Sequence, residues 1–148
     1  MGAILNRMPT GFPGDVSRKA DATIEAGLMA ATVPYGAPVT LDDDGKLAPL
    51  ADGDTVYGFM VRPYPTQMTA AEAGSIQDVM RRGYMTITLA QGTAVKGGQV
   101  YARHTADAGK AVGDIEAAAD AGKNVAVPGC IFMGEADGSG NVEISFNL

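Results

Sequence analysis

Residues 36–61, GAPVTLDDDGKLAPLADGDTVYGFMV, and residues 97–133, GGQVYARHTADAGKAVGDIEAAADAGKNVAVPGCIFM, run through the same succession of signals. A glycine opens a hydrophobic strand, an Asp- and Gly-rich turn ending in Gly-Lys reverses it, and a short apolar strand closes the unit. The second copy carries an insertion around residues 114–121. The polar positions fall almost wholly in the turns, which predicts two β-hairpin units and leaves few polar side chains for chemistry. Val56 to Val61 form a continuous apolar run, the pattern of a strand buried on both faces.

Working outward, Tyr84-Met85-Thr86-Ile87-Thr88-Leu89 alternates with period two, Met85, Ile87 and Leu89 on one face and the two threonines on the other. Ile76, Val79 and Met80 read as a strand broken by Arg81-Arg82-Gly83. Residues 125–133 turn through Asp137-Gly138-Ser139-Gly140-Asn141 into the strict alternation Val142 to Phe146. Residues 69–74 begin with a capping Thr and end on Gly74, the marks of a helical turn, and Glu116 to Gly122 has a similar look. About eight strands follow, in a mainly β protein: a single small β-barrel or sandwich with at most one or two short helices. Twenty Gly and eight Pro in 148 residues suit such a turn-rich chain.

Residues 1–28 show neither period. Pro9, Gly11, Pro13 and Gly14 punctuate them, yet Ile4, Leu5, Met8 and Phe12 are too apolar for a solvated tail. The division expected is therefore an extended N-terminal arm over 1–28 and a β-domain over 29–148. Fully extended, the arm reaches on the order of 90 Å. Cutting away residues 1–14 is expected to leave a folded domain whose binding to its partner surface is weakened.

Charge narrows the function. Eleven basic against 17 acidic side chains give −6, which argues against sequence-independent nucleic-acid binding. No apolar run approaches the ~20 residues that span a bilayer, and the first residues do not read as a secretory signal. Cys130, in VAVPGCIFMG, reads as a buried hydrophobe. His104, alone between Arg103 and Thr105, reads as a surface residue. The acidic turn at Asp42 to Gly45 lacks the spacing of a calcium loop, as does Asp137 to Val142, and both read as turns. No serine stands in a nucleophile elbow and no phosphate loop is present, so no catalytic, metal or cofactor residue is assigned.

The arm sequence GFPGDVSR (residues 11–18), together with GAPVTLDDDGKLAPLADGDTVYGFMVRPYP, resembles the structural cement, or head decoration, proteins of tailed bacteriophages. The resemblance implies a non-enzymatic protein on the exterior of the virion, made in the bacterial cytoplasm. It also implies a homo-oligomer, dimer or trimer, that binds across junctions of the major capsid protein and stabilises the expanded shell. On that reading Ile4, Leu5, Met8 and Phe12 are candidate arm anchors, and Arg62, Tyr64, Arg81 and Arg82 candidate rim contacts. The alternative is a carbohydrate- or ligand-binding β-module of a phage particle, for which nine aromatics without a Trp are a thin supply. A small β-barrel enzyme would need a polar cluster assembled between chains.

Overall fold

The computed structural model describes residues 11–148. It contains eleven strands: β1 (Thr23–Leu28), β2 (Val33–Pro34), β3 (Pro38–Leu41), β4 (Leu47–Ala48), β5 (Gly58–Met60), β6 (Ala70–Ala71), β7 (Ile76–Gln91), β8 (Gln99–Arg103), β9 (Ile115–Glu116), β10 (Asn124–Phe132) and β11 (Asn141–Phe146). The helical content among the described residues is one 3-10 turn, Lys19–Asp21. The protein is thus mainly β, and of barrel and sandwich it is a barrel.

Five strands close on themselves. β7 pairs with β9, β9 with β8, β8 with β10, β10 with β11, and β11 returns to β7. Closure removes the exposed edges a flat sheet would present. Inside lie Met85, Ile87, Val100, Ala102, Ile115, Val127, Phe132, Val142 and Ile144, each almost wholly buried. Cys130 joins them, as its apolar context predicts, and burial pushes its thiol well above the ordinary range. The β-hairpin units predicted from the two sequence copies are present: β3 pairs with both β4 and β5, and β8 with both β9 and β10. Asp42 and Asp137 spend their carboxylates on turn amides, Asp42 on Asp44 and Lys46, Asp137 on Ser139 and Asn141.

The long strand β7 belongs to two structures at once. Its C-terminal half is a barrel stave, whereas residues 76–82 leave the barrel and pair with β1 and β5. Met80 and Phe59 face the barrel core, where Phe59 meets Phe146 edge to face at 5.1 Å between ring centres. Val79 and Met60 face the other way, into a second core with Met29, Val33, Tyr35, Val39, Leu47 and Ala71. Opposite parities of one strand therefore feed two cores, which explains why β5 is buried on both faces.

Several expectations are corrected. Arg81-Arg82-Gly83 does not break β7. Gly83 takes φ +136°, with Ala22 so close that a Cβ would lie 3.1 Å from its Cα, and the strand bends there without ending. Residues 69–74 form no helical turn: β6 pairs with β2, and Ala71 is fully buried. Residues 23–28 do form a regular element, β1, whose sequence shows no burial period because no residue of it is fully buried. Thr86, expected on an outer face, is fully buried beneath residues 14 and 15.

Candidate interaction surface

Residues 11–18 pack onto their own chain. The Gly14 N–H donates to the Thr86 carbonyl (2.9 Å), the Thr86 N–H to the Asp15 carbonyl (2.9 Å), and the Ser17 N–H to the Tyr84 carbonyl (3.1 Å). Val16 bridges Met85 as a single antiparallel rung. The Arg62 N–H donates to the Gly14 carbonyl. Gly14 itself has φ +91°, and a Cβ there would lie 2.8 Å from the Arg62 nitrogen, so only glycine fits. Further along, Arg18 stacks over Tyr84 at 4.0 Å and pairs with Glu143 at 3.0 Å.

This docking gathers an apolar surface around one cation. Arg62 lies 5.0 Å from the centre of the Phe12 ring, 3.5 Å from an Asp15 oxygen, and donates to the Thr66 carbonyl at 2.7 Å. Its guanidinium is held in place while remaining partly open to solvent. Phe12, Pro13, Tyr35, Arg62, Gln67, Met68 and Thr69 line a hollow of about 250 Å³. A second hollow of about 270 Å³ shares Pro13, Tyr35 and Thr69 and runs on to Thr88, Ala90 and Val112. Burial is the main cause that raises the Tyr35 phenol above its ordinary value. Phe12 is 64% exposed, Met68 48% and Tyr64, in the adjoining loop, 91%.

Of the eight candidate contacts, then, Phe12, Arg62 and Tyr64 fall in one region. Arg81 and Arg82 are elsewhere, on the outlying half of β7. Arg81 is engaged internally, stacked on Tyr57 at 3.7 Å, donating to the Tyr57 carbonyl and 3.4 Å from Glu25. Arg82 is exposed opposite Thr23. Ile4, Leu5 and Met8 lie outside the described residues. The contribution of Met68, Pro13 and Tyr35 escapes sequence reading, since three separate segments supply them.

The insertion in the second hairpin unit holds the main buried polar cluster. Arg103, fully buried, pairs with Glu116 (2.8 Å) and Asp120 (2.6 Å), and Asn124 donates to Glu116. The hydrogen bonds that the guanidinium donates to these carboxylates hold it firmly charged, and Arg103 in turn depresses the Asp120 carboxyl. Glu116 therefore belongs to β9 and to this cluster, not to the helical turn its sequence suggests. His104 is buried beside it, with Nδ1 2.9 Å from Thr105 Oγ1, and is not a surface residue. Among the described residues no group of three or more His, Cys, Asp or Glu is placed to hold a metal. The cluster is closed and paired, which suits locking a loop.

The described residues thus form a closed barrel with a packed annex and an apolar outer hollow. The fold matches a chain of a solved structure described as the capsid of Myoviridae Phage XM1, with a TM-score of 0.77 and 20% identity over 98% of this chain and 95% of that one. At that identity the likeness is one of fold. The sequence matches the XM1 gp53 minor capsid protein family over residues 1–146, and the chain belongs to that family. It is a structural protein of the phage head, in keeping with the class of protein its sequence resembles. No curated protein matches it.

Proposed function

We propose that the protein is a cement of the phage head: it binds the outer surface of the shell across junctions of the major capsid protein and stabilises the expanded lattice, without catalysis. The observation that carries this reading is the hollow around Arg62. A guanidinium fixed between Phe12 and Asp15, beside exposed Tyr64 and Met68, has the composition of an interface centre, where aromatic residues, Met and Arg concentrate. The acidic balance of the chain favours a place away from packaged DNA. Assembly as a dimer or trimer would multiply such contacts.

The test is re-addition of purified protein to heads that lack it, read by co-sedimentation. Tyr64→Ala and Arg62→Glu are each expected to weaken binding about tenfold or more, the scale of interface centres. Binding at wild-type strength by both variants would refute the assignment of this face. Protection of the bound protein from added protease by an intact shell would refute the exterior position.

A further inference from the structure

Tyr35 is a wall common to both hollows beside residues 11–18. Its ring belongs to the second core, with Val33, Val39 and Met60, and the residue is only 6% exposed. Backbone bonds fix it there: the Tyr35 N–H donates to the Thr69 carbonyl (3.0 Å) and the Gly36 N–H to the Met60 carbonyl (2.8 Å). The hydroxyl, by contrast, has no hydrogen-bond partner among the described residues, none of which carries a side-chain nitrogen or oxygen both sealed from water and unpartnered. The hydroxyl is therefore the point at which this buried side chain opens on the hollows. Burial first, and then the charge of Glu72, raises the phenol above its ordinary value, so the group keeps its proton and can donate.

Arg62 stands on the other side of Gly14. A Cβ at Gly14 would lie 2.9 Å from the Cβ of Tyr35 and 2.9 Å from that of Arg62, so a single glycine separates the roots of the two side chains. The guanidinium is a fork of N–H donors, of which one is committed to a short bond, with the Thr66 carbonyl at 2.7 Å. Its contact with Asp15 is 3.5 Å, longer than the ~2.8 Å of a charge-assisted hydrogen bond, and Asp15 gives its other oxygen to the Phe12 N–H. A cation and a free hydroxyl thus converge on space otherwise walled by Phe12, Pro13 and Met68.

We propose that Tyr35 and Arg62 together grip one carboxylate, an Asp or Glu side chain borne on an extended apolar segment of the major capsid protein. The inference rests on the cement reading of this face and names the chemistry by which it is gripped. The arginine fork matches the two oxygens of a carboxylate, and the hydroxyl adds a donor from the opposite wall. Residues flanking the carboxylate lie against Phe12 and Met68, both largely exposed. Charge complementarity at contact makes the choice, because a chain of net charge −6 offers no long-range attraction to an acidic segment.

Head binding of the full-length protein, read by co-sedimentation, tests the grip. Tyr35→Phe removes one atom that has no partner in the fold, so its thermal midpoint should match the wild type. Its dissociation constant for heads should rise about tenfold, the scale of a hydrogen bond to a charged group. Arg62→Gln should cost at least as much, and adding Tyr35→Phe to it should cost little more, because both side chains act on one group. Heads whose accessible carboxyls are turned to amides with carbodiimide and ammonia should bind the wild type and Arg62→Gln alike. Wild-type affinity in Tyr35→Phe, costs that simply add, or amidated heads that still prefer arginine would each overturn the grip and leave the cement reading standing. A lowered midpoint in Tyr35→Phe would show the hydroxyl at work inside the fold and would overturn it too. Heads that bind no wild-type protein would instead bring down the cement reading, and this partner with it.

Discussion

Arg103 carries its charge at zero exposure, against Glu116 at 2%. Charges so deep are tolerated only when paired, and removing one partner leaves the other buried and uncompensated. Arg103→Met is expected to cost about 3–5 kcal/mol in urea unfolding, whereas Arg103→Met with Glu116→Leu should recover much of that loss. If the double replacement were as unstable as the single, buried charge would not be the reason for the pair. In sequence, Glu116 stands among alanines and hints at a helix. Its true partner lies thirteen positions back, and nothing local announces it. The turn carboxylates Asp42 and Asp137 are the opposite case. They bond amides within four residues, so spacing alone reveals their work.

Among the elements, the segment before β1 has the sharpest consequence. Residues 11–18 hold main-chain bonds to Thr86 and Tyr84 and cover Thr86, so they belong to the folded body. A truncation that begins at Gly11 is expected to keep the thermal midpoint of the full chain within a few degrees. One that begins at Asp15 removes Gly14 and its bonds to Thr86 and Arg62, and should lower the midpoint clearly, by about 4–8 °C for each kcal/mol lost. Identical midpoints would show that this segment is dispensable. The expectation that a domain without residues 1–14 still folds follows from their Pro and Gly content, which reports chain direction but not what the chain lies against. For the same reason the hairpins and the apolar run of β5 are legible from local pattern. β1 is not, because its strand character comes from β7 alone.

For the molecule as a whole, a protein that binds only the expanded shell must stabilise it by mass action. At a hundredfold excess over the dissociation constant the gain is about 2.7 kcal/mol per site. Heads titrated with the protein should therefore lose their DNA at temperatures that climb with its concentration until the sites fill. A release temperature indifferent to concentration would contradict the cement reading. Net charge is read from composition, and turn spacing gives a barrel or a sandwich; the choice between them rests on β11 returning to β7, which no local pattern announces. The hollow around Arg62 was accessible only in part: Arg62 and Tyr64 stand out in RPYP, while Pro13 and Tyr35 arrive from elsewhere.

The sharing of β7 between barrel and annex also has a mechanical side. Traction that drags the annex from the barrel is directed along this strand, and the rungs binding it to β11 and β1 lie crosswise to the pull. Crosswise rungs take up tension side by side and rupture collectively, unlike a hairpin unzipped from its tip. A load that parts annex from barrel would thus meet its greatest resistance along β7.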